Sequence, residues 1–265
     1  MNNLIRAEFL RFFGTRLWVA YLLGALATGV GLVGLLVLVG PENAEPPLPP
    51  IDTPAGVSTI LGLVQLMLFV PAVLGTFAIT AEYRHGTIGT TFLAVPRRAR
   101  VMVAKLVAHA TLGLAYGVVL AVGAGAALAA GVLTSGGDLG AGLPGLLVSL
   151  GRLAVGAMAY TVLGVAVGAL VRNQIVGLAA VFGYFYALEP MLMIIPGVNQ
   201  LYGVLPGGAM AALTRSTWLT ETLAEQTSSM TALVLPAWGG GLVLLGYVVL
   251  AALVAVALPL RRDLV

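Results

Sequence analysis

The stretch LWVAYLLGALATGVGLVGLLVLV, residues 17–39, contains no Asp, Glu, Lys, Arg or His. Wound as an α-helix rising ~1.5 Å per residue, it crosses the ~30 Å hydrocarbon core of a bilayer and satisfies its own backbone hydrogen bonds there. Five more stretches share its character: Val57 to Thr80, Leu106 to Leu133, Gly145 to Val171, Ile175 to Ile195 and Ala237 to Leu260. None shows the short alternation of a barrel strand. The expected fold is therefore an all-α integral membrane protein, six transmembrane helices in a single domain over residues 1–265. Composition agrees, with 60% of residues hydrophobic and 9% charged, against roughly 25% charged in soluble domains.

Several chemistries are excluded by counting. Without cysteine there is no disulfide framework and no thiolate chemistry. The two histidines, His85 and His109, lie in different segments without an acidic cluster, so no metal site is expected. The only lysine, Lys105, sits in Ala104-Lys105-Leu106, which rules out a GxxxxGK[ST] phosphate loop. The chain is thus expected to hold no cofactor and to be no enzyme; any ATP chemistry has to come from another chain. No His, Asp or Glu cluster converges at one depth, which disfavours an intramembrane enzyme.

The net charge of +3 hides a strong asymmetry. With the N-terminus cytoplasmic, Arg6, Arg11, Arg16, Arg84, Arg97, Arg98, Arg100, Lys105, Arg172, Arg261 and Arg262 fall inside, and only Arg152 and Arg215 fall outside. Glu42, Glu45, Asp52, Asp138, Glu221 and Glu225 go to the outer loops. The basic balance reports insertion with both termini cytoplasmic, and implies no nucleic-acid partner.

Between the spans, residues 1–16 read as an amphipathic interfacial helix, with Ile5, Phe9, Phe12 and Phe13 on one stripe and Asn3, Arg11 and Gly14 roughly opposite. Spans one and two occupy residues 17–80, an inner loop 81–105, spans three to five 106–195, and span six 237–260. Residues 197–236 are too apolar for a solvated loop and read as short helices resting on or dipping into the outer leaflet. In the inner loop, Gly86-Thr87 offers a turn and an N-cap, Ile88 and Phe92 share a helix face, and Pro96 marks the stop. Glu82, at a helix C-terminus whose dipole opposes a carboxylate, calls for a cation such as Arg84, Lys105 or a partner residue, or else for the N-terminus of the next helix. Taken alone, Arg97, Arg98, Arg100 and Lys105 read as an anchor on anionic headgroups.

The pattern Glu82, Tyr83, Arg84, Gly86, Thr87, Leu93, Pro96, Arg98 and Lys105, placed after the second of six spans, resembles the permease subunits of type 2 ATP-binding-cassette (ABC) exporters. A weaker likeness lies in Leu205-Pro206-Gly207-Gly208-Ala209. The resemblance implies a subunit of a bacterial plasma-membrane exporter for an amphiphilic or hydrophobic compound, such as a drug, antibiotic or lipid-like molecule. It implies two permease subunits, as a homodimer or heterodimer, with two ATPase subunits that carry ATP and Mg. It also implies a coupling helix within residues 81–105, seated in a groove of the ATPase. Glu82, Arg84, Gly86, Thr87 and Phe92 are then contact or geometry residues, with Arg98 and Lys105 anchoring the exit. The family's outer loop often forms a re-entrant helical gate. The alternative is a membrane anchor or signalling subunit that uses the same ATPase coupling without moving a substrate.

Two ionisable residues fall within spans, Arg152 in span four and Glu189 in span five, at similar depth on consecutive antiparallel helices. They either pair or line a common cavity, unless Arg152 snorkels to the surface and Glu189 sits at a wetted helix end. Small residues at four-residue spacing, Gly113, Gly117, Ala121, Gly125 and Ala129 in span three with Gly164 and Gly168 in span four, suit close helix approach within a subunit or at a dimer seam. Pro71 is expected to kink span two. Tyr160, Tyr184 and Tyr186 suit an amphiphile or interhelical hydrogen bonds.

Overall fold

Long apolar sequences punctuated by Gly, Pro and Arg give helices joined by short turns. The computed structural model describes residues 1–45, 47–95, 97–135, 138–216, 218, 220–222 and 234–257, leaving aside the side chains of residues 88, 90, 92, 94 and 135. Six helices are long and apolar enough to cross a membrane: Leu17–Val39, Pro54–Arg84, Arg98–Thr134, Gly142–Val171, Gln174–Ile194 and Ala237–Ala257. They are numbered here as the first to sixth spans, and among the described residues there is no strand. The chain therefore has the build of a multi-pass membrane protein. The third span starts at Arg98 rather than Leu106, so that Lys105 lies two turns inside the helix. The expected end of the sixth span at Leu260 and the basic tail with Arg261 and Arg262 lie outside the described residues.

The spans alternate in direction, so one end of the bundle collects the N-terminal helix Asn2–Gly14, the loop helix Thr87–Ala94 and the Arg172–Asn173 turn. This is the basic end. The fourth span is the most enclosed, while the first, fifth and sixth leave most of their surface open. Glycine explains the enclosure. A β-carbon at Gly117 would lie 2.6 Å from the Ala154 Cα, one at Gly113 would press on Thr161, one at Gly125 on Leu150, and one at Gly164 would collide with the Ala72 carbonyl. At Gly168 it would meet the Thr76 carbonyl at 2.8 Å. The small-residue ridges thus pack the third span on the fourth and the second on the fourth within one chain. Thr76 adds an interhelical bond, its Oγ1 donating to the Gly164 carbonyl at 2.9 Å.

The second span is broken. Its outer piece Pro54–Leu66 ends before Met67–Leu68, and a second piece runs Phe69–Arg84. The expected kink at Pro71 is realised one turn earlier, because a proline lacks an N–H and its ring crowds the carbonyl four residues back, that of Met67. Tighter three-residue bonds bridge the gap, from Leu68 N–H to Gln65 O and from Val70 N–H to Met67 O, each 3.0 Å. The first and fifth spans carry π-helical turns at Ala27–Leu32 and Tyr184–Leu188.

Candidate functional site

At the basic end, four charged side chains from three elements meet. The N-terminal helix brings Glu8 and Arg11, the end of the second span brings Glu82, and the third span brings Lys105. Lys105 is fully buried, Glu8 7% and Glu82 6% exposed. Lys105 Nζ donates to Glu8 Oε1 at 2.9 Å and Oε2 at 2.8 Å, and also to Glu82 Oε1. Arg11 Nη1 donates to Glu82 Oε1 at 2.7 Å and Glu8 Oε1 at 3.4 Å, and its Nη2 reaches Thr91 Oγ1 at 3.4 Å on the loop helix. Two carboxylates and two cations sum to zero, which is what makes their shared burial tolerable. One turn further along the third span, His109 is buried with Nδ1 2.9 Å from the Lys105 carbonyl.

The N-terminal helix is consequently rotated from the expected stripe. Glu8 and Phe12 are buried, whereas Phe13 is exposed at 60%. Arg11, assigned to the polar side, turns inward to the carboxylates. The charge attraction of Glu82 and Lys105 outweighs burial of one more phenylalanine.

The expected partner set of Glu82 resolves in favour of Lys105. Arg84 is exposed and donates instead to Gln174 Oε1 at 3.2 Å, tying the second span to the start of the fifth. Arg172 lies 5.6 Å over the Tyr83 ring. Gly86 adopts φ +67° and caps the loop helix, a conformation that disfavours any side chain. Thr87 follows as its first residue, and its Oγ1 lies 3.5 Å from the Glu82 carbonyl. Arg98 opens the third span, half-buried. The Phe92 and Ile88 side chains and Pro96 lie outside the described residues.

A second polar site forms near the opposite end. After the fifth span the chain turns through a 3₁₀ segment, Val198–Val204, into a buried helix, Pro206–Thr214. Tyr247 Oη donates to the Val204 carbonyl at 3.0 Å, which sets this turn ~15 Å along the sixth span from Ala237. Residues within 197–236 thus fold back into the bundle. Glu189, 4% exposed, accepts from the backbone N–H groups of Gly207 at 2.7 Å and Gly208 at 3.3 Å. It serves as a carboxylate cap on the Pro206–Thr214 helix, where the unpaired N–H groups and the dipole favour an anion. From the second span, Gln65 donates to the Gly207 carbonyl at 3.3 Å and accepts from Thr214 Oγ1 at 2.7 Å.

Of the alternatives for Arg152 and Glu189, the direct pairing is not formed. Among the described residues Arg152 has no ion pair, and Glu189 is satisfied by amides that its position alone does not reveal. Tyr160 is buried and stacks on Phe185; Tyr186 stacks on Phe182, and Tyr184 meets Phe185 edge-on. Sequence reasoning missed Glu8, Gln65 and Thr214 as site residues. Glu8 carried a usable signal, since it is the sole acid before Glu42 in a segment with three arginines. No protein-family profile matches the chain, and no characterised protein matches it in sequence.

Proposed function

We propose that this chain is the permease subunit of an ABC exporter, set in a bacterial plasma membrane with both termini and the Thr87–Ala94 helix on the cytoplasmic side. It moves an amphiphilic or hydrophobic compound outward, driven by ATP and Mg on two separate ATPase subunits, and works with a second permease. The observation that carries the proposal is the Glu8–Arg11–Glu82–Lys105 quartet, in which Glu8, Glu82 and Lys105 are buried and Arg11 is half-exposed. It ties the flank of the loop helix to the N-terminal helix and the third span, so a push on that loop moves three elements together. A coupling helix requires such a rigid seat. The second span then runs from Glu82 at the basic end to Gln65, ~26 Å away along the helix, where it grips the re-entering segment.

The test has two parts. Gentle solubilisation should co-purify an ATPase, and nucleotide should stimulate efflux in vesicles, with the stimulation lost in Gly86→Pro and Glu82→Ala. Absence of any ATPase overturns the assignment. ATPase recovery without efflux makes the chain an anchor or signalling subunit.

A further inference from the structure

Beside the charge quartet lies a cavity of ≈ 770 Å³ between the N-terminal helix, the start of the first span and the basic end of the second. Its size is that of a small-molecule site, which runs about 300–1,000 Å³. One wall is apolar, made by Leu17, Ala20, Phe77 and Ala78. The other carries Arg11, Arg16, Glu82 and both histidines.

The charges on that wall are not equivalent. Glu8 and Glu82 are balanced by Lys105 and Arg11. Arg16 is exposed, lines the cavity and makes no ion pair among the described residues, so it is the surplus charge and it is positive. A ligand matching this wall has an anionic group for Arg16 and an apolar tail for Leu17 and Phe77.

We infer that the cavity is a binding site for an anionic phospholipid, with phosphatidylglycerol as its probe. The phosphate pairs with Arg16 and the acyl chain lies along the first span. This goes beyond transport, since the lipid completes the seat of the N-terminal helix whether or not the complex moves a substrate.

Trp18, one residue past Leu17, reports the site, and Trp238 at the far end of the bundle is the internal control. Single-tryptophan proteins are placed in bilayers of phosphatidylcholine mixed with brominated phosphatidylglycerol or brominated phosphatidylcholine. Quenching of Trp18 should show a preference of about fivefold for phosphatidylglycerol, the worth of one cation near the surface. Trp238 should show a ratio near one. Arg16→Gln, on an exposed side chain, should abolish the Trp18 preference, and Ala20→Phe should abolish it by filling the cavity. Equal quenching of Trp18 by both lipids, or a preference that survives Arg16→Gln, overturns the inference. Loss of the preference in millimolar inorganic phosphate at constant ionic strength makes this a free-anion site and overturns the lipid assignment.

Discussion

Glu82 and Glu189 are buried to a similar degree, yet they are held in unlike ways. Glu82 is neutralised by side chains, Lys105 and Arg11, that come from other elements and are themselves bonded to Glu8. Glu189 is held by backbone amides of Gly207 and Gly208 and touches no cation among the described residues. The first arrangement is a charge lattice centred on Lys105, in which two buried carboxylates depend on one buried cation. The second is a cap, which fixes one helix end and can be released by one rearrangement. A lattice suits a seat that transmits force, and a cap suits an element that moves.

The contrast is tested most severely at Lys105. Lys105→Met leaves two buried carboxylates with one half-exposed arginine and should cost about 3–5 kcal/mol, read as lost thermal stability in detergent. The reversal Glu82→Lys with Lys105→Glu should not rescue it. The new lysine would face Arg11 and the new glutamate would face Glu8, so recovery in the double variant would show the pair acting alone rather than as a lattice.

At the cap, Glu189→Ala should cost about 1–3 kcal/mol, and Glu189→Gln, which keeps an acceptor oxygen, should cost less. Proteolysis or hydrogen exchange should localise the change to residues 198–214. A loss at Glu189 equal to that at Lys105 would erase the distinction between cap and lattice. The smallest effect is expected at Arg11, whose side chain is 38% exposed: Arg11→Ala should cost under about 1 kcal/mol, again measured by thermal unfolding. A larger loss would make Arg11 a full member of the lattice.

The spans were legible because lipid imposes one rule on every residue of a long segment. Leu17–Val39 matches to the residue, since Arg16 and Gly40 bracket an uncharged run. Lys105 was placed at the mouth of the third span, as an anchor on anionic headgroups or a cation for Glu82, because the apolar run begins at Leu106. Only the three-dimensional meeting of Glu8 with Glu82, 74 positions apart, provides the anions that draw it in. Glu189 was read as pairing with Arg152, lining a cavity with it or sitting at a wetted helix end, because sequence shows side chains and hides amides. The Leu205–Ala209 motif was visible, but not that its glycines let the chain turn its N–H groups onto a carboxylate.

The break at Met67–Leu68 makes the second span a pair of rods of nearly equal length, 16 residues toward Glu82 and 13 toward Pro54, with Gln65 beside the joint. The arms measure ~24 Å and ~20 Å, so a stiff joint passes a swing of about 3 Å at the Glu82 end to the Pro54 end as about 2.5 Å, or ~7° of tilt, while Gln65 beside the joint hardly moves. A compliant joint absorbs it as bending between the rods. The three-residue hydrogen bonds across the gap therefore set the gearing of the molecule: stiffening that joint should tighten the mechanical link between its two ends, and loosening it should let each end relax by itself.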